Sequence, residues 1–228
     1  MAMADQGALI AATGRTLEKV EETCSLIEQR GGQAIALLCD VKQHDSLSAT
    51  VDSVAAHFGT IDILVNNAQE MCLGSLLDMS DDQFEAGWQS GPQATHRLMK
   101  LCYPHLKGGG CIVNLASTAA KRWDSSGYGA YAAVKDAIRA LTRAACSEWA
   151  ADGIRTNCIL PLARSPGLDW WIDNNPKEAA FFINSIPMKR IGDCEDDIGK
   201  FVANLCSDAC AYINGQSIAV DGGQAYMG

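Results

Sequence analysis

Tyr131 and Lys135 stand four residues apart in the run Tyr131-Ala-Ala-Val-Lys135. On a helix that spacing puts both side chains on one face, so the Lys135 ammonium can approach the Tyr131 phenol. An unperturbed tyrosine hydroxyl titrates near pH ~10 and carries protons poorly at neutral pH. A fixed positive charge beside it favours phenolate and brings the group toward useful acid/base strength. Tyr and Lys at this spacing also occur by chance in many helices, so the pair gains weight only from its surroundings. Ser117 follows an apolar run, Cys111 to Leu115, where a strand end would present a polar side chain. There its hydroxyl could donate to a carbonyl oxygen as charge develops, or simply cap the strand. Tyr128 is a rival acid, but Ala132 occupies the position four residues on, so it lacks a charged partner. Asn66, Asn67 and Ala68 end another short apolar run and supply amides and a small residue where a flat ring could pass. By themselves the two asparagines would be read as turn formers.

The elements that must position these residues alternate along the chain. Strand-length apolar runs fall at Ala8–Ala12, Ala34–Leu38, Ile63–Val65, Cys111–Leu115, Thr156–Leu160 and Ser217–Val220. Between them lie helical stripes. One is Leu17, Val20, Cys24 and Ile27, closed by Gly31-Gly32; another is Leu47, Val51, Val54, Ala55 and Phe58, capped by Asp45 or Ser46 and stopped by Gly59. A long helical region from Ser80 to Leu106 is interrupted at Gly91-Pro92, and a helix runs from Tyr128 to Ala151. A loop with Pro161, Pro166, Gly167 and Pro176 precedes short helices near Lys177–Ile183 and Asp196–Cys206. This order predicts a single α/β domain over residues 1–228, a doubly wound parallel sheet in three layers. Ligands of such a sheet bind beyond the carboxyl ends of the strands, where Ser117, Asn67 and Ala68 fall.

Composition narrows the function classes. Lys and Arg total 18 against 27 Asp and Glu, a formal net charge of -9. With no basic block, neither nucleic acid nor an anionic membrane is expected as partner. The ten cysteines are scattered singly, and Cys206-x-x-x-Cys210 has no second ligand pair for a metal. They read as reduced thiols of a cytoplasmic protein, and no apolar run is long enough to span a bilayer.

Five motifs fall in the order seen in short-chain dehydrogenases/reductases. They are Leu64-Val-Asn-Asn-Ala68, Ile112-Val-Asn-Leu-Ala-Ser117, the Tyr131/Lys135 pair, Ile154-Arg-Thr-Asn157 through Pro161, and Val220-Asp-Gly-Gly223. The run Ile186-Pro-Met-Lys-Arg-Ile-Gly192 also resembles the family's segment after its substrate loop. The resemblance implies a Rossmann-like fold and hydride transfer between NAD(P) and an alcohol or carbonyl. It makes Tyr131 the general acid/base, Ser117 the carbonyl-orienting residue, and Lys135 the residue that holds the nicotinamide ribose and tunes Tyr131. Asp40 and Val41 resemble the pair that contacts adenine, and Asn67 and Ala68 the motif that the cofactor passes. Gly14-Arg15 falls where the family's second strand faces the adenosine ribose. An Asp there would pair with the ribose hydroxyls of NAD, whereas the Arg15 guanidinium suits a 2′-phosphate, so NADP(H) is favoured over NAD(H). Trp170, Trp171, Phe181 and Phe182 in the substrate loop either point to an apolar or ring-bearing carbonyl or alcohol or simply pack that loop. The helices near Phe84–Leu106 and Tyr131–Ala151 resemble those that build the family's homodimers and homotetramers.

Departures from the pattern are also legible. Ala2 to Gly7 resembles the tail of the family's first helix, so the reading expects an N-terminally truncated chain. It would lack about 25 to 30 residues that hold the first strand and the glycine-rich turn. That turn normally cradles the cofactor pyrophosphate, and its absence counts against cofactor binding. Gly108-Gly-Gly110 precedes a strand rather than a helix and is no substitute. The missing strand sits between those near Ala8 and Ile63, which would each lose a pairing partner. The family's helix asparagine, which helps hold a relay water, falls on Gly91; Gln69 stands where glycine is usual, and Leu162 replaces the glycine after Pro161. Ser117 precedes Tyr131 by 14 residues, close to the usual separation. Two functions stay open: an NADP(H)-linked oxidoreductase, or a catalytically inactive relative serving as a structural or regulatory subunit. A third possibility is a protein that binds another small ligand in the old site.

Overall fold

A computed structural model of the chain describes residues 1–121, 126–225 and 227. Among them lie six strands, all paired in parallel. Strands β1 (Leu9–Gly14) and β2 (Gln33–Leu38) form one ladder, with Leu9 opposite Gln33 and Gly14 opposite Leu38. Strands β3 (Ile63–Asn66), β4 (Cys111–Leu115), β5 (Arg155–Pro161) and β6 (Ser217–Val220) form a second, in chain order. Helices α1 (Leu17–Gln29) and α2 (His44–Phe58) make the first crossovers. Helices α3 (Asp81–Trp88) and α4 (Ala94–Leu106) join β3 to β4, and α5 (Gly129–Trp149) joins β4 to β5. Helices α6 (Pro166–Asn174), α7 (Pro176–Ser185) and α8 (Lys200–Cys206) precede β6. This is the expected Rossmann-like α/β architecture.

Strand β4 explains why a short apolar run suffices: Cys111 to Asn114 are all buried, because helices cover both faces. On one face Val51, Met99, Cys102, Leu106 and Ala145 pack with Ile112 and Ile154. On the other, Ile198, Val202 and Leu205 pack with Cys111, Val113 and Ile159. The sheet itself is in two parts. Among the described residues β1 and β3 each have one edge without a strand partner, and Leu9 and Val65 are 50% and 39% exposed. The N-terminal turn, Ala4–Gln6, helps tie the parts together: Met3 packs on the Ile198–Val202 core, while Arg30 at the end of α1 bridges Asp5 and Glu195.

Three local expectations need correction. Helix α2 begins at His44 with Gln43 as its N-cap, not Asp45 or Ser46; the Ser46 hydroxyl instead accepts from the Asp40 backbone N–H at 3.0 Å. Gly91-Pro92 does not break the helical region. It lies in a five-residue π-helical turn, Gln89–Gln93, that carries α3 into α4 and accommodates a proline without an N–H to donate. The proline-rich stretch after β5 is largely helical. Pro166 and Pro176 open α6 and α7 at positions whose N–H needs no partner, and the Ser165 hydroxyl caps α6 by accepting from Leu168.

A polar chain crosses the core beneath α5. Asn66 Nδ2 donates to Asn114 Oδ1 at 2.8 Å, Asn114 Nδ2 donates to Thr142 Oγ1 at 2.9 Å, and the Thr142 hydroxyl donates to the Ile138 carbonyl at 2.9 Å. Asn114 and Thr142 are fully buried, so each link replaces hydration that the fold removes. Asn66 is thus a core residue rather than a turn former. Thr142→Val should cost about 1–3 kcal/mol in urea denaturation by orphaning the Asn114 amide. Thr23→Val, which removes a similar bond from exposed Thr23 to Lys19, should cost less than about 0.5 kcal/mol. Equal costs would show that the buried chain contributes nothing special.

Candidate active site

Ser117, Tyr131 and Lys135 meet at the carboxyl end of β4. Lys135 faces the sheet from α5 and is 3% exposed, and its ammonium donates to the Leu115 carbonyl at 2.7 Å. Its Nζ lies 5.5 Å from the centre of the Tyr131 ring. Ser117 lies close enough to Tyr131 for its hydroxyl to favour the phenolate, and the Ser117 Oγ accepts from the Ala119 N–H at 3.2 Å. Tyr128 stacks edge-on against Tyr131 with ring centres 6.2 Å apart. Residues 122–125, in the loop between Ser117 and Tyr131 whose length matched the family, lie outside the described residues.

The electrostatics differ from the sequence expectation. Burial pushes the Tyr131 phenol up to about 12, against the neighbouring Ser117 hydroxyl, which favours phenolate, with Tyr128 and Cys72 adding to the rise. Burial pushes Lys135 down to about 8. Lys135 was expected to draw Tyr131 toward phenolate. Its ammonium is instead spent on the Leu115 carbonyl beneath the ring, and desolvation dominates both groups. Both shifts favour the neutral form, so the phenol of Tyr131 is held in its protonated state.

The residues expected around adenosine gather at the ends of β1, β2 and β3. Arg15, Asp40, Val41 and Ala68 line one small pocket of about 110 Å³, together with Glu70 and Ser90. Asn67 is exposed in the same loop but does not line it. Asp40 Oδ1 accepts from the Lys42 N–H at 3.0 Å, which shapes the turn after β2. Glu70 reaches Arg15 at 2.5 Å and Lys42 at 3.0 Å. Lys42, Glu70 and Ser90 were not singled out from the sequence. Their contacts span tens of residues, and only the position of Lys42 just after Asp40-Val41 could have flagged one of them. Beyond β5, Trp171 and Phe182 pack edge-on across α6 and α7 at 6.0 Å, while Trp170 and Phe181 are 67% and 80% exposed.

A family model described as enoyl-(acyl carrier protein) reductase matches residues 1–225. A 12alpha-hydroxysteroid dehydrogenase from a Clostridium species is 36% identical over 98% of this chain and 88% of its own length. The 3-oxoacyl-[acyl-carrier-protein] reductase FabG of Chlamydia trachomatis is 31% identical over 97% of this chain and 89% of its own. A crystallised 7 alpha-hydroxysteroid dehydrogenase, complexed with NADH and 7-oxo glycochenodeoxycholic acid, superposes with a TM-score of 0.91 at 29% identity, over 97% of this chain and 86% of its own. The chain belongs to the short-chain dehydrogenase/reductase family. It is accordingly an oxidoreductase of the class that acts on CH–OH groups.

Two departures from the family pattern are neighbours in space. A Cβ on Gly91 would fall 2.7 Å from Gln69 Nε2 and 2.9 Å from Val134 Cγ1. Gln69, standing where glycine is usual, thus fills the room that a side chain at position 91 would need. Its Nε2 lies 3.4 Å from the Gly87 carbonyl, and its Oε1 is buried without a partner.

Two measurements follow from this geometry. Gly91→Ala should cost about 1–3 kcal/mol by overpacking, and at least about 1 kcal/mol less in a Gln69→Ala background. Additive costs would mean that the two positions do not share the space. Lys135 is charged below about pH 8 in the fold but up to 10.5 in the unfolded chain, which therefore binds the extra proton between those values. Stability attributable to this site must rise with pH across that window. Lys135→Met should then be more stable than the parent at pH 7, on the order of 2 kcal/mol, with the gain shrinking toward pH 10. A gain that stays constant with pH would exclude burial of the charge as its source.

Proposed function

We propose that this chain interconverts a carbonyl and an alcohol on a bulky, largely apolar small molecule, using NADP(H) in preference to NAD(H). The observation that carries the reading is the placement of the half-buried Tyr131 phenol beside Ser117 and 5.5 Å from the Lys135 ammonium at the end of β4. In the reducing direction Tyr131 gives its proton to the carbonyl oxygen, while the Ser117 hydroxyl donates to the same oxygen and fixes its position. Lys135, whose ammonium donates to the Leu115 carbonyl and lies 5.5 Å from the centre of the Tyr131 ring, would hold the nicotinamide ribose beside it. When bound, a reduced nicotinamide dinucleotide supplies the hydride to the carbonyl carbon.

The donor set at the pocket suits the adenosine end of such a dinucleotide. Arg15 and Lys42 offer two cations beside the end of β1, where the strand itself ends in Gly14-Arg15 rather than in an aspartate that would receive a ribose diol. Asp40, Val41, Asn67 and Ala68 supply the neighbouring strand-end surface. Leu76 and Leu77 after β3, Trp170 on α6 and Phe181 on α7 leave large apolar side chains exposed, in keeping with an apolar substrate. The names of the hydroxysteroid dehydrogenase relatives point the same way. Ten free thiols suit a reducing cytoplasm. The described residues include no helix long and apolar enough to cross a membrane. Exposed Phe84 and Trp88 on α3, near the helices that the family uses for assembly, support a homo-oligomer.

The test is to mix the purified chain with NADPH and NADH, follow nucleotide fluorescence, and then add a ketosteroid. NADPH should bind more tightly than NADH and be consumed. Tyr131→Phe should lower kcat by about 10²–10⁴-fold while NADPH binding stays within about threefold. Failure of both nucleotides to bind would favour the inactive-subunit reading instead.

A further inference from the structure

We propose that Arg15 and Lys42 form a single anion site, and that Glu70 is its resident carboxylate, which a 2′-phosphate on adenosine must displace. The inference rests on reading the pocket as the adenosine end of a nucleotide site. Glu70 Oε1 lies 2.5 Å from Arg15 and 3.0 Å from Lys42, and Lys42 also donates to Oε2 at 3.2 Å. The carboxylate therefore stands where two cations converge. It crosses a pocket that, at about 110 Å³, is smaller than the roughly 300–1,000 Å³ of ordinary small-molecule sites.

The surroundings fix the backbone of this contact, while the Glu70 carboxylate itself is held only by the two cations. The Glu70 N–H donates to Ser90 Oγ at 2.9 Å, and Ser90, 2% exposed, donates in turn to the Ala86 carbonyl at 2.7 Å. Arg97 holds the Lys42 carbonyl at 3.3 Å, so the second cation is also anchored through its backbone. The ion pairs themselves are partly wet: the Arg15, Lys42 and Glu70 side chains are 59%, 25% and 28% exposed. Pairs so exposed are weakly held, because solvent screens them. A phosphate monoester carries nearly twice the charge of a carboxylate and three acceptor oxygens, enough to serve both cations at once. Glu70 thus keeps the cation pair satisfied when the site is empty and is displaced only by a ligand of higher charge. A nucleotide with a free 2′-hydroxyl has no group to contest the position and leaves Glu70 in place. Glu70 and Lys42 are then specificity-determining residues, with Ser90 as the positioning residue behind them.

The test uses the full chain and two probes, adenosine 2′,5′-bisphosphate and 5′-AMP, titrated calorimetrically. Glu70→Gln should tighten bisphosphate binding about three- to tenfold and leave AMP within about twofold. Glu70→Ala should act in the same direction, and Lys42→Met should weaken the bisphosphate about tenfold with little effect on AMP. Unchanged or weaker bisphosphate binding in both Glu70 variants overturns the proposal. Equal tightening of the two probes, or no bisphosphate binding to any variant, overturns it as well. Turnover separates this inference from the reductase reading. If carbonyl reduction is seen but Glu70→Gln leaves the ratio of kcat/KM for NADPH over NADH unchanged, only the inference falls. If the bisphosphate responds as stated and no carbonyl is reduced, only the reductase reading falls.

Discussion

An ammonium group buried to 3% exposure and pinned to the last carbonyl of a central strand constrains everything around it. Taking Lys135 out of water is costly, and one hydrogen bond to Leu115 recovers only part of that cost. The remainder is offset by the helix that carries it. Ala130, Val134, Ile138, Thr142 and Ala145 are buried along the same face of α5, and their modest size lets the helix settle against β4 and β5. Thr142 then engages Asn114 from the strand, and Asn114 engages Asn66 from the next. A slip of α5 by one residue would break both the lysine bond and the asparagine chain. Because both depend on the same placement, the chain fixes the register that holds Tyr131 beside Ser117.

The same burial sets the chemistry of the site. Low dielectric surroundings disfavour charge on either member of the Tyr131–Lys135 pair, so the phenol rises and the ammonium falls. Both groups are thereby held closer to neutrality than in water. The charge that would pull Tyr131 toward phenolate is close in space but directed elsewhere. A proton can leave Tyr131 readily only when negative charge is taken up by an acceptor in the same dry pocket, which is the situation that a reacting carbonyl oxygen creates. Helical spacing alone brings the two side chains near each other; the depth of the helix in the fold decides what that nearness does.

Much of the fold was legible because buried parallel strands and covered helices leave strong periodic signatures. Cys111–Leu115 and Ser217–Val220 could be bounded directly from their apolar runs, and Gly59 stops α2 in the left-handed conformation expected of it. The errors have a common cause. Ser46 has the chemistry of a cap but is used in tertiary contact with Asp40, and Pro166 and Pro176 are helix-starters that composition alone reads as loop. At the site, the trio at β4 was readable from motif order, and so were Arg15, Asp40, Val41 and Ala68. Glu70 was not, because its partner Arg15 is 55 residues away and a glutamate in a polar loop carries no local signal. The opposed electrostatic shifts were equally invisible, since they depend on burial rather than spacing.

The loop after β3 shows how one short segment can join the two ends of the site. Three consecutive residues, all lining the pocket at the ends of β1 and β2, make different contacts: Ala68 lies at its wall, Gln69 turns into the space beside Gly91, and Glu70 spans the cations. Two of these contacts are received by adjacent residues of the π-helical turn. Ser90 accepts the Glu70 N–H, and Gly91 leaves room for the Gln69 amide. A π turn advances each residue by a smaller angle than an α-helix and leaves a backbone partner shifted, which is why such turns collect at functional sites. Here it presents a hydroxyl and a vacancy side by side toward one loop. Gly91 also borders Val134, the residue before Lys135, so the turn that anchors Glu70 is packed directly against the helix of Tyr131. The cation pair and Tyr131 are therefore held by one continuous piece of structure.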